Sequence, residues 1–154
     1  PTILKLSSIL RYMLYETEVD KVELKNEIKI LEDYIDLQTL RLTELVDVSY
    51  QKSGDFDNIY IEPFILLPIV ENAFKYGVDN LNRSFIRINI SLHRKRLEII
   101  AENKIVVVSS EKRNSGIGLN NIRRRLELIY PERHNFNIEQ TDSTFKLTIE
   151  LMLK

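Results

Sequence analysis

The sequence predicts an α/β protein, a two-layer α/β sandwich with an N-terminal helical segment. Three observations carry that expectation. The first fifty residues repeat their apolar positions at helical spacing with no glycine or proline after Pro1 until Gly54. Three later stretches alternate apolar and polar residues in pairs, as half-buried strands do. Two further helical segments are set between those strands, around 63–77 and 119–129. Strands grouped beside helices in this order suggest a mixed sheet covered by helices rather than a doubly wound parallel sheet.

Taken in order, Ile3, Leu6, Leu10 and Met13 follow a three-four spacing that Ile9 and Leu14 widen, and a polar break follows at 16–21. Leu24, Ile28, Leu31, Ile35, Gln38, Leu42 and Leu45 then repeat with heptad spacing, with Glu23, Lys25, Glu27, Lys29, Glu32 and Asp33 expected on the other faces. A helix packed on its own domain and a helix that also forms part of a dimer stem both fit, since about three heptads do not separate the two. The chain therefore divides into a helical stem, 1–45, and a domain, 46–154.

Val46, Val48 and Tyr50 alternate as a strand, and Gly54 with the Asp-rich stretch to Asn58 makes a turn. A helix is expected from Pro63 to Gly77, a C-terminal stop, with an irregular start or a kink at Pro68. Ile86, Ile88 and Ile90, then Leu97, Ile99 and Ala101, form a hairpin around Arg94-Lys95-Arg96. Residues 104–117 read as a loop, and a helix from about Leu119 to Ile129 is closed by Pro131. Phe136 and Ile138, then Phe145, Leu147, Ile149 and Leu151, read as a last pair of strands turning at Asp142-Ser143.

Bulk properties narrow the function. The 154 residues are 44% hydrophobic and 29% charged, with a formal net charge of -1, so no global field draws the chain to nucleic acid or an acidic membrane. With no cysteine, disulfides and thiolate metal sites are excluded. No apolar run approaches the roughly 20 residues of a membrane-spanning helix. Arg123-Arg124-Arg125 is one turn of one helix without an aromatic platform, and nucleic-acid binding is not expected from it.

Two constellations carry candidate chemistry. In Val70-Glu71-Asn72-Ala73-Phe74-Lys75-Tyr76-Gly77, Asn72 and Tyr76 share one helix face, as do Glu71 and Lys75. An asparagine oxygen suits Mg²⁺, which takes few protein ligands alongside phosphate oxygens and water, and a lysine supplies charge for phosphate. From these residues alone, an ordinary amphipathic helix with a Glu–Lys surface pair is the favoured reading. In Ser115-Gly116-Ile117-Gly118-Leu119-Asn120-Asn121, two glycines allow close approach of a phosphate to the amides of a helix start. Alone, it reads equally as a flexible loop ahead of an Arg-rich solvated face. It is neither a dinucleotide-binding fingerprint nor a P-loop.

Together, these segments resemble the LytS/YehU-type sensor histidine kinases, whose catalytic part belongs to the GHKL ATPase superfamily. Leu10-Arg11-Tyr12-Met13-Leu14-Tyr15 resembles the family's "LRY-x-LY" helix, and Val22-x-Leu24, Glu27, Tyr34-Ile35 and Gln38-x-x-Arg41 resemble the helix after it. The run from Pro63 through Pro68, Glu71, Asn72, Lys75 and Tyr76 to Gly77 resembles the N box. Gly116-Ile-Gly118 with Asn121, Arg125, Leu126 and Tyr130 resembles the glycine box and the helix behind the ATP lid.

The resemblance implies a Bergerat sandwich holding ATP between the N box and a lid. Asn72 would bind Mg²⁺, Glu71 would be the polar or general-base residue, and Lys75 would contact phosphate. The implied nucleotide-contacting set is Asn72, Lys75, Tyr76, Asn103, Ser115, Gly116, Gly118, Leu119, Asn121 and Arg125. The last two would also anchor the lid and its helix. The resemblance further implies a homodimer, a response regulator as partner, and a cytoplasmic domain of an inner-membrane protein that makes no membrane contact itself.

The sequence departs from the family pattern in three places. The family's acceptor histidine lies upstream of the "LRY-x-LY" segment, and neither His93 nor His134 is assigned that role. The usual D-x-G-x-G is replaced by Ala101-Glu102-Asn103-Lys104, where Asn103 would accept from the adenine amino group as a neutral substitute. Glu102, one register away, would face the other side of the strand. Tyr76 stands where many relatives have histidine, and the lid at 104–115 is short. These departures motivate an alternative, an interaction or dimerisation module of the same fold with a degenerate nucleotide pocket.

Overall fold

The computed structural model describes residues 1–106 and 116–154, less the side chain of residue 17. Helix α1 (Thr2–Tyr15) passes through a 3-10 turn (Glu16–Glu18) and the short strand β1 (Val22–Glu23) into α2 (Leu24–Thr39). Strands β2 (Val46–Ser53) and β3 (Tyr60–Ile61) precede α3 (Leu66–Gly77). The hairpin β4 (Ser84–His93) and β5 (Arg96–Lys104) follows, then α4 (Gly116–Ile129), β6 (His134–Gln140) and β7 (Thr144–Met152). The main sheet runs β2-β4-β5-β7-β6, with β2 parallel to β4 and every other pair antiparallel. The expected two-layer α/β architecture is the one observed.

Alternation decides which face of the sheet is covered. Ile86, Ile88 and Ile90 of β4, Leu97, Ile99 and Ala101 of β5, and Leu147, Ile149 and Leu151 of β7 are all buried. Each such aliphatic side chain contributes about 1.5–3 kcal/mol by leaving water. The β4–β5 turn spans two residues, since His93 pairs with Arg96, and Arg94 takes a left-handed φ of 56° that a tight hairpin requires. Helix α3 lies on this face against β4 and β5, and both α2 and α4 pack on α3.

The helical expectations need three corrections. Helix α2 ends at Thr39, whose hydroxyl donates to the Ile35 carbonyl at 2.7 Å, so Leu42 and Leu45 fall outside the predicted heptad helix. Its stripe of Leu24, Ile28, Leu31 and Ile35 is buried in the same core as the sheet residues, as in a helix packed on its own domain. Glu27 and Asp33, expected on solvated faces, are 3% and 8% exposed. On α1, by contrast, only Ile9 and Tyr12 are buried, while Ile3, Leu6, Leu10, Met13 and Leu14 remain exposed.

The third correction concerns α3. The helix begins at Leu66 rather than Pro63, which puts Pro68 in the first turn. Backbone N–H groups there have no intrahelical partner, so the missing proton costs no helical bond. The irregular start expected from the prolines is real, and it centres on Phe64, which adopts a φ of 65°.

Candidate functional site

The N-box residues divide by exposure as their helical positions dictate. Ile69, Val70, Ala73, Phe74 and Gly77 of α3 are buried toward the sheet and α2. Asn72 and Tyr76 are half-buried beside them, and Glu71 and Lys75 form an exposed ridge. The Lys75 ammonium lies 5.3 Å from the centre of the Tyr76 ring, a cation–π distance. On the α2 side, a groove of about 290 Å³ runs past Glu71 and Lys75 and is also lined by Tyr34, Gln38 and Arg41. Burial raises the Tyr34 phenol to about 12, the Glu71 carboxylate adds to that rise, and Arg41 opposes it.

Asn103 sits at the end of β5 on the covered face and is 1% exposed. Its Nδ2 donates to the Lys104 carbonyl at 2.9 Å, while its buried Oδ1 has no hydrogen-bond partner among the described residues. Gly77 makes room for this side chain: a Cβ there would stand 2.7 Å from the Asn103 Cβ. Glu102 is half-buried with its carboxylate 3.8 Å from Arg87, its partner across the β4–β5 ladder. Strand alternation therefore points Asn103, not Glu102, toward α3.

Helix α4 begins at Gly116, and Ser115 lies outside the described residues together with most of the expected lid. Among the described residues, no atom lies within 4 Å of a Cβ built on Gly118. Asn121 is exposed, whereas Leu119 packs partly on the core. The Arg125 guanidinium donates to the Pro63 and Phe64 carbonyls, each at 2.5 Å, and so ties α4 to the loop entering α3. Tyr130, just beyond the helix, donates to the Glu62 carboxylate on the same loop. Of the arginine run, Arg123 and Arg124 are exposed, with Arg123 4.6 Å from the Phe136 ring centre, while Arg125 is half-buried.

The N-box helix and the glycine-bearing helix are thus neighbours, and Asn103 lies under the end of the first. Sequence reasoning gave Glu27 and Tyr12 a place in the family-like helices but no role at this site. Glu27, on α2, accepts from the backbone N–H groups of Phe64, Ile65 and Leu66 and from the Tyr12 hydroxyl of α1. Burial pushes its carboxyl above the ordinary range, against the lowering effect of the three amides and of Arg125. Its signal was a position three residues after Leu24 and four before Leu31, on the apolar stripe itself.

No group of three or more metal-ligating His, Cys, Asp or Glu side chains occurs among the described residues, and no described helix is long and apolar enough to cross a membrane. Residues 1–46 match the family model for histidine kinase. A curated relative, the sensor protein kinase HptS of Staphylococcus aureus (strain USA300), is 31% identical over 118 residues, which are 76% of this chain and 22% of that protein. The chain therefore spans about a fifth of the relative's length. Among solved structures, the catalytic domain of histidine kinase ThkA superposes with a TM-score of 0.59 at 15% identity, covering 86% of this chain and 95% of that domain. Full-length ShkA in complex with AMPPNP gives a TM-score of 0.62 at 15% identity over 99% of this chain and 35% of its own. At those identities the likeness establishes the fold.

Proposed function

Because this chain belongs to the sensor histidine kinases, we propose that it is the ATP-binding catalytic region of a LytS-like kinase. It transfers the γ-phosphoryl group of ATP to a histidine outside residues 1–154. The observation that carries this reading is the buried Oδ1 of Asn103, partnerless among the described residues. An unpaired buried acceptor costs about 1–3 kcal/mol, and the amino group of an adenine would satisfy it. Gly77 and Asn103 pack directly on each other, since a Cβ on Gly77 would collide with Asn103, so the glycine fixes where that oxygen sits.

The chain's other residues divide the work by their chemistry. Asn72, half-buried beside the exposed Lys75, offers one neutral oxygen to an Mg²⁺ that arrives with the nucleotide. That ion supplies charge neutralisation on the phosphates. Lys75 adds a mobile positive charge, and the start of α4, where no described residue crowds Gly118, is accessible to phosphate oxygens. The bond from the γ-phosphorus to the β–γ bridging oxygen breaks as one forms to the imidazole nitrogen. Glu71, exposed on the same ridge, takes the proton from the other ring nitrogen, the one that does not attack. Positioning and charge supply most of such a reaction's acceleration.

In this reading α1 ends the stem, and its exposed Ile3, Leu6, Leu10 and Leu14 stripe is covered in a homodimer. A response regulator receives the phosphoryl group, and the full-length protein is anchored in a membrane with this region on the cytoplasmic side. Incubating the full-length protein with γ-labelled ATP tests the assignment. Label should appear on histidine, and Asn72→Ala should abolish it while circular dichroism stays native. Labelling unaffected by Asn72→Ala would remove the assignment. The second reading, a same-fold interaction module, is favoured by Asn103 in place of the family's aspartate and by the lack of a glycine after it before Gly116. It predicts no labelling and no nucleotide binding.

A further inference from the structure

Side chains from three helices, Tyr12 of α1, Glu27 of α2 and Arg125 of α4, form one network around the short segment 63–66 that opens α3. Glu27 of α2 accepts from Phe64 N–H at 2.6 Å with one carboxylate oxygen, and from Ile65 and Leu66 N–H at 3.2 and 3.1 Å with the other. Those amides open α3, so a carboxylate borrowed from another helix caps its positive end. Arg125 of α4 holds the Pro63 and Phe64 carbonyls from the opposite side of the same peptides. Phe64 sits between the two grips at a φ of 65°, a left-handed conformation costly for a side chain of this size. Tyr12, the buried tyrosine of α1, donates to the Glu27 oxygen that also serves Phe64.

Nothing in the phosphoryl-transfer chemistry described above uses Glu27 or Tyr12. From this geometry we infer that Glu27 is a positioning residue. It fixes the entry of the N-box helix against the glycine-bearing helix, and through Tyr12 it registers both with α1. The inference rests on the proposed kinase reading only for its kinetic consequence. Packing alone does not account for the arrangement, because a buried carboxylate is costly unless its acceptor capacity is used, and here three of its four partners are the amides that open the N-box helix. A chain of bonds from α1 to the first turn of α3 gives rotation or withdrawal of α1 a direct route to Asn72, two turns further along that helix.

Two variants of the full-length protein carrying this chain, Glu27→Gln and Tyr12→Phe, test the inference by hydrogen exchange and kinetics. In Glu27→Gln, a carboxamide replaces two acceptors with one. Exchange at the amides of 64–66 should quicken on the order of tenfold, and Mg-ADP affinity should fall by a similar factor. In Tyr12→Phe, packing is kept, so Mg-ADP affinity should stay near wild type while kcat falls on the order of tenfold. Wild-type exchange and kinetics in both, at a temperature where circular dichroism is native, would make the network a stability element and overturn the inference. If Glu27→Gln does not fold, Tyr12→Phe decides, with unchanged kcat counting against it. If the wild-type protein binds no Mg-ADP, the kinase reading fails, and the exchange measurements alone decide whether the joint exists.

Discussion

Gly77 and Asn103 touch across the boundary between α3 and the sheet: a methyl group on Gly77 would lie 2.7 Å from the Asn103 Cβ and 3.0 Å from Ile86 Cγ1. The glycine is there for space. It is the last residue of α3, followed by an extended Val78, and it does not share the positive φ of Gly54. Gly77→Ala should force α3 away from β5 and lower stability by about 1–3 kcal/mol, as overpacked cores do. Urea denaturation measures the loss, and an unchanged midpoint would mean that the helix shifts at no cost.

Asn103→Leu separates the fold from the site. The variant removes an oxygen that has no partner among the described residues and an Nδ2 that has one, and fills similar volume. Stability should change by less than about 1 kcal/mol, since exchanging a half-satisfied polar side chain for an apolar one of like shape is near neutral. Adenine nucleotide affinity should fall about tenfold if the oxygen is an adenine acceptor. Thermal unfolding with and without Mg-ADP reads both.

Leu31→Ala asks where the catalytic unit begins. Leu31 is fully buried in the shared core, so its truncation should cost about 2–5 kcal/mol by chemical denaturation. A helix belonging only to a separate stem would leave the unfolding of the sandwich unchanged.

The carboxyl of Glu27 titrates above its ordinary value of 4.5, chiefly through burial. A folded-state pKa raised above the unfolded one stabilises the fold fully below the unfolded value, and that contribution is lost as pH rises through the folded value. The amides of Phe64, Leu66 and Ile65, and after them Arg125, oppose that rise. The stability of wild type relative to Glu27→Gln should therefore decline as pH climbs from about 4.5, and a difference that is flat across that range would contradict the assignment.

Much of this architecture is legible in the chain. Alternation at Ile86–Ile90 and Leu97–Ala101 locates the central hairpin, and the register it implies puts Asn103 on the covered face. What the sequence hides is what depends on distant partners. The three amides that make a buried Glu27 tolerable lie 37 to 39 residues away, so its place on the apolar stripe signals burial without naming its partners. The two-residue pairing of Val22 with Ile61 and of Glu23 with Tyr60 is too short to leave a period. The end of α2 carries neither glycine nor proline, and the apolar spacing runs on through Leu42 after the helix has stopped. At the site, the N-box and glycine segments could be named from sequence. Their contact through Arg125 and the loop at Pro63 and Phe64 could not.

Calorimetric titration of Mg-ADP into the protein tests the account most directly. The account predicts saturable heat that disappears in Asn72→Ala, or on chelation of the metal, with the fold intact. Absence of heat from the wild-type protein at millimolar nucleotide, or binding indifferent to Asn72, would contradict it.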